Sequence, residues 1–211
     1  MKLVLFGATG MVGSRIATEA SSRGHQIVAV SRSGQSPIPG VTATAADASD
    51  AVKVAELSAG ADAMASACVP PRDGTDPTAP FLAINEALVA GARAAGVGRL
   101  VVVGGAGSLE IAPGQALLDQ PGFPEAYLAE ALAHREALSF YRTVHDVDWT
   151  YVSPAAEIGP GTRTGRFRLG GDQLLTDEHG NSRITAEDYA IAFVDELEQD
   201  AYPRTRMSVA Y

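Results

Sequence analysis

The chain opens with an apolar run, Lys2 to Phe6, that leads straight into Gly7-Ala8-Thr9-Gly10-Met11-Val12-Gly13 and then an amphipathic stretch to Ser22. The order constrains the fold more than the glycines do. Glycines at this spacing signal a dinucleotide site only when a strand precedes them and a helix follows. Gly7 permits the tight turn, Gly10 lets backbone approach a pyrophosphate, and Gly13 lets the helix lie close to the sheet. The helix start, near Thr9 to Met11, then aims its free N–H groups and positive dipole end at the phosphates. Thr9, Met11 and Val12 join Gly7 and Gly10 as candidate contacts.

A second apolar run, Gln26 to Val30, ends in Ser31-Arg32-Ser33. About 20 residues beyond the glycine turn, an acidic residue holds the ribose 2′-hydroxyl of NAD, whereas arginine accommodates the 2′-phosphate of NADP. Arg32 therefore favours NADP(H), and Ser33 supplies a hydroxyl that can donate to phosphate oxygens. The competing reading of Arg32 is a solvated surface side chain.

With 211 residues, 46% apolar and 19% charged, the chain reads as one globular domain with enough length for a sizeable core. The longest apolar stretches are strand-sized, so no membrane span is expected. A first strand beginning at Lys2 leaves no room for a signal peptide, and a single cysteine, Cys68, forms no internal disulfide. Both predict a cytoplasmic protein. The net charge of -9 argues against nucleic acid or an anionic membrane as partner. His25, His134, His145 and His179 are scattered, so no metal site is expected. Monomer and homodimer both stay open.

Strands and helices alternate along the whole chain, which predicts a single Rossmann-like, doubly wound, mostly parallel α/β sheet. After the second strand come a loop at 33–40, a strand at 41–45, a helix at 49–59, a strand at 61–69 and a helix at 80–95. Strand 99–103, a loop at 109–124, helix 125–144 and strand 148–152 follow. A Gly-rich excursion at 159–171 and a short strand at 173–176 precede a helix at 185–199, capped by Thr185, and a last strand at 206–210. Segments near 105–127 and 156–183 form the substrate side. In such a sheet the ligand lies beyond the carboxyl ends of the strands. That edge collects Asp47 and Ala48 beside the adenine, and Val69, Pro70, Val103 and Gly104 beside the ribose and nicotinamide. Ser153 ends the sixth main strand there.

The segments GATGMVG (7–13), SRS (31–33), ACVPPRDGTDP (67–77), VVVGGAGSL (101–109) and DWTYVSPA (148–155) resemble the atypical short-chain dehydrogenase/reductase superfamily. Within it the chain is most similar to the compact NmrA-like group that includes NADH-flavin reductases, related in plan to the biliverdin-IXβ and flavin reductases. The resemblance implies an NAD(P)H-dependent oxidoreductase. It also exposes a departure. Carbonyl-reducing members carry Tyr-x-x-x-Lys on the helix before the sixth strand, where this chain has Ala131 and Arg135, and Tyr127 is followed at i+4 by Ala131. Losing that acid suits hydride transfer to a flavin or quinone-like ring, whose proton comes from solvent. FMN or FAD is thus an expected acceptor. Alternatives are a non-catalytic NADP(H) sensor and an oxidoreductase or isomerase with a dedicated small substrate.

For such a dedicated substrate Ser108, Tyr127 and His134 are the catalytic candidates. Ser108 is equally a loop serine, and His134 a local acid or a partly solvated helix histidine. Arg135 reaches a ribose or pairs with a neighbouring glutamate. Arg163, Arg166 and Arg168 form a basic cluster that suits an anionic substrate or flavin phosphate, or simply a solvated loop. Trp149 reads as core.

Overall fold

A computed structural model describes all residues, 1–211. The five strands β1 (Lys2–Phe6), β2 (Gln26–Ser31), β3 (Thr42–Ala45), β4 (Ala63–Ser66) and β5 (Arg99–Val103) alternate with α1 (Met11–Ser22), α2 (Ala51–Ser58) and α3 (Thr78–Ala95). A small hairpin, β6 (Glu110–Ala112) and β7 (Gln115–Ala116), precedes α4 (Glu125–Tyr141) and β8 (Asp148–Pro154). The chain ends with β9 (Glu157–Gly159), β10 (Arg168–Gly170), β11 (Arg183–Thr185), α5 (Ala186–Gln199) and β12 (Thr205–Ala210).

The main sheet has the order β10-β12-β8-β5-β4-β1-β2-β3. All its pairs are parallel except β10 on β12. This is the expected doubly wound architecture. Residues of β1 are buried on both faces, Leu3 and Leu5 in the core under α1 and α5, Val4 and Phe6 in the core under α3 and α4. That two-sided burial is why parallel strands read as continuous apolar runs instead of alternating ones.

Local chemistry sets the helix ends. The Asp50 carboxylate accepts from the N–H groups of Val52 and Lys53 at the start of α2. Thr185 accepts from the Asp188 N–H at the start of α5, the cap expected for that helix. Gly96 closes α3 in the left-handed conformation. Where α2 crosses α3, a Cβ on Gly91 would stand 2.3 Å from Val54, so that close approach needs glycine.

The structure departs from expectation mainly after residue 104. The 109–124 segment carries the β6–β7 hairpin and a 3-10 turn at Leu117–Asp119. The strand expected at 173–176 is absent. The edge of β12 is taken antiparallel by Arg168–Gly170, while Gln173 forms only an isolated bridge with Glu110. Leu175 instead covers Gly170. Helix α4 ends at Tyr141, three residues short, where the chain turns so that the Val144 carbonyl accepts from the Trp149 indole.

Candidate functional site: the carboxyl edge of the sheet

Every parallel strand from β3 to β8 ends on one edge, and there the chain makes its sharpest turn. Gly7 has φ +74°, and a Cβ on it would strike the Ala67 backbone at 2.6 Å. Its N–H and that of Ala8 both donate to the Val30 carbonyl, at 2.9 and 3.3 Å. Gly13 is needed for a more specific reason than close packing on the sheet. Its Cβ would stand 2.1 Å from the Gly7 carbonyl oxygen, so helix and turn fold onto each other there. Gly10, by contrast, has open space apart from Gly7 O at 3.6 Å, which is what close ligand approach requires. No side chain caps α1, and its first turn holds no acidic residue, so its leading N–H groups face outward beside exposed Thr9 and Met11, with Val12 packed inward.

Beyond β2, Arg32 and Ser33 are exposed, and the Ser33 hydroxyl lies 3.3 Å from that of Ser31. The charge of Arg32 reaches Asp47. The N–H and hydroxyl of Ser49, and after them the Arg32 guanidinium, hold the Asp47 carboxyl below its ordinary range. Ala48 and Cys68 are half-buried against the core under α3, and burial raises the Cys68 thiol. At the end of β4, Val69 stands half out of the surface while Pro70 is buried. Ser153 is fully buried at the end of β8, and its Oγ has no partner.

A nicotinamide dinucleotide fits these residues. An uncapped helix start and an arginine outside any carboxylate pair supply two kinds of anion donor on one edge, which is the donor set a pyrophosphate and a 2′-phosphate need. Gly7 to Val12 would hold the first and Arg32 with Ser33 the second.

The glycines after β5 are required by packing as well as by their place beside the cofactor edge. A Cβ on Gly104 would enter the Tyr151 ring at 2.3 Å, on Gly105 it would meet His134 at 2.7 Å, and on Gly107 Ala131 at 2.7 Å. These glycines let α4 and β8 close over the end of β5, with Val103 buried beneath. His134 is 6% exposed, its ring edge-on to Phe81, and burial pushes its pKa down to about 4. A ring that is neutral at pH 7 and hydrogen-bonded to Tyr151 at 2.9 Å is no reservoir of protons, so the reading of His134 as a local acid is corrected.

Ser108 is drawn away from the cleft. Its Oγ accepts from Nη1 of buried Arg206 on β12 at 2.9 Å, and Arg206 in turn is paired with Asp172. Tyr127, 63% exposed, lies on the first turn of α4 beside a bidentate pair in which Arg72 Nε and Nη2 each donate to Glu130 at 2.9 Å. The three catalytic candidates are thus not assembled as a triad. Arg135 pairs with Asp119 instead of facing a ligand. Of the basic cluster, Arg163 is bound bidentately by Glu19 and Arg168 donates to the carbonyls of Thr176 and Tyr211, while exposed Arg166 lines one surface hollow with Arg168. The Arg72–Glu130 clasp went unread in the sequence, although residues 127, 130, 131 and 134 share one helix face. Trp149 is core, as expected.

A family model described as NAD(P)H-binding matches residues 7–200. Among solved structures, a "putative exported protein" from Burkholderia pseudomallei is 55% identical with a TM-score of 0.91, each chain covered in full. A "putative epimerase" from Bacteroides thetaiotaomicron is 41% identical with a TM-score of 0.90, covering 100% of this chain and 96% of that one. A "putative NADH-flavin reductase" from Streptococcus pneumoniae TIGR4 is 33% identical with a TM-score of 0.83, covering 100% and 99%.

Proposed function

The chain belongs to the NAD(P)H-binding family, and from that premise we propose that it is an NADPH-dependent reductase whose acceptor is a flavin or a quinone-like ring. The observation that carries the reading is what α4 presents. The position of the superfamily's acid is Ala131, packed on Gly107, and that of its lysine is Arg135, tied to Asp119. An acceptor that needs a protein-bound acid for each turnover is poorly served by such a helix. A conjugated ring that takes its proton from water is well served. The same departure weighs against epimerase chemistry, notwithstanding the Bacteroides relative.

When bound, the cofactor supplies the hydride. The chain's own task is positioning. The glycine turn and uncapped α1 anchor the phosphates, Arg32 selects the 2′-phosphate, and Val69 with Met11 offers apolar surface for ring stacking at the mouth. Tyr127 and Leu128 add exposed apolar area on the α4 side. No helix is long and apolar enough to cross a membrane. We place the activity in the cytoplasm, where NADPH is held, although one relative is described as exported.

NADPH oxidation by the purified protein, followed by absorbance with FMN, FAD, riboflavin and a simple quinone in turn and NADH as control, tests the reading. Turnover with NADPH supports it. NADPH binding without turnover on any acceptor assigns a sensor instead. Arg32→Ala is expected to weaken NADPH at least about tenfold while sparing NADH, the loss of a charge-assisted phosphate contact. Equal effects on both would refute the NADP preference.

A further inference from the structure

Although His134 fails as an acid, its surroundings determine what it offers. Two contacts join it to Tyr151: imidazole Nδ1 to the phenol oxygen, and the phenol oxygen to the His134 carbonyl, both 2.9 Å. The phenol has one hydrogen and the carbonyl can only accept. If that hydrogen went to Nδ1, the phenol and carbonyl lone pairs would face each other at 2.9 Å. Both contacts are attractive only if the phenol donates to the carbonyl and Nδ1–H donates to the phenol. The neutral ring then carries its bare lone pair on Nε2.

Nε2 has no partner within the protein. It is also absent from the four side-chain atoms that are enclosed without one, Ser58 Oγ, Arg99 Nε, Ser153 Oγ and Arg206 Nε. The 6% of His134 that solvent reaches therefore includes this nitrogen. Its ring lies over Gly105, at the carboxyl end of β5, and it feels the charges of Glu130 and Arg72, whose clasp spans from the loop after β4 to α4. A nine-tenths buried acceptor with a fixed tautomer thus stands unpaired at the carboxyl end of β5, beside the Arg72–Glu130 pair.

We propose that His134 Nε2 accepts a hydrogen bond from an imide-type N–H of the acceptor ring, so that the site selects rings with an N–H flanked by carbonyls, such as an isoalloxazine, over simple quinones. The inference rests on the reductase reading and narrows its acceptor class. A simple quinone has carbonyl oxygens only and would set lone pair against lone pair at Nε2. A buried acceptor left unpaired penalises such a ligand more than the bond itself rewards the right one. His134 is then a specificity residue that orients the acceptor and moves no proton.

The test is binding, read by quenching of flavin fluorescence, with protein saturated with NADP+ and lumiflavin compared with N3-methyl-lumiflavin. Methylation removes the single donor and leaves the ring otherwise intact. Wild-type protein should bind the methylated ring at least about tenfold more weakly, and in His134→Leu the two rings should bind alike. The comparison in wild-type protein needs no variant and stands even if His134→Leu fails to fold. Equal affinity of the two rings for wild-type protein overturns the proposal and leaves the reductase reading standing. A loss of NADP+ affinity in a folded His134→Leu matching the loss of lumiflavin affinity also overturns it, because the residue would then serve the cofactor. Failure of both rings to bind, with NADP+ bound, removes the flavin acceptor and this proposal together.

Discussion

Acid should unfold this protein partly through His134, by an amount the structure allows to be worked out. Its ring is buried and neutral, with a pKa of about 4 against an ordinary value of 6.5. Between those values the unfolded chain binds a proton that the native chain refuses, so stability is complete above pH 6.5 and falls as pH drops towards 4. At pH 5 the deficit from this one group is about 2 kcal/mol, and at pH 7 it is nearly nil. Other groups lose stability in the same window, so the difference between wild type and a non-titrating variant isolates the histidine. His134→Gln keeps a donor for the Tyr151 hydroxyl and removes the titration. Urea unfolding of both proteins at pH 7 and pH 5 should show wild type losing about 2 kcal/mol more than His134→Gln over that interval. Parallel losses would refute the burial argument, and with it the claim that His134 is neutral when the protein works.

Gly13→Ala should cost about 3 kcal/mol in urea unfolding and abolish NADPH binding, because a Cβ 2.1 Å from the Gly7 carbonyl forces helix and turn apart; an unchanged midpoint would show that the turn yields freely. Glu196→Ala should cost about 2–3 kcal/mol, since the almost enclosed Glu196 carboxylate meets Arg99 at 2.6 Å and accepts from Thr150 at 2.8 Å, and its removal leaves Arg99 with only the half-exposed Asp200 as a carboxylate partner. A loss under about 1 kcal/mol, the range of a surface pair, would mean that water reaches Arg99. Glu130→Gln should loosen the Arg72 clasp and raise the acceptor KM with little change in NADPH affinity, measured in the absorbance assay; an unchanged KM would place the clasp outside the acceptor's path.

The legible parts of the fold are those whose signals are local. Gly7 has to take a positive φ whatever lies around it, the apolar runs of β1 and β2 announce two-sided burial, and Asp188 three residues after Thr185 marks a capped helix. Arg32 could be placed from spacing alone, since the crossover through α1 leaves little freedom in where β2 ends. Past residue 104 the deciding contacts are distant in sequence. Arg163 is claimed by Glu19, 144 residues away, and Ser108 by Arg206, 98 residues away, and neither partner is implied by anything near it in the chain. The pair Leu174-Leu175 has the apolar character of a strand, yet the sheet edge went to Arg168–Gly170, whose glycine Leu175 then covers.

The amino-acid order thus settled the kind of molecule, a parallel sheet with an anion-binding turn, because turn geometry and apolar periodicity act over a few residues at a time. Packing alone settled what the cleft's inner wall can do. The glycines after β5 are closed over by Tyr151, His134 and Ala131, and His134, open in the sequence to reading as an acid or as a partly solvated helix residue, is a buried neutral ring. A side chain's protonation depends on what is packed around it, and that is decided only when strands and helices far apart in the chain meet.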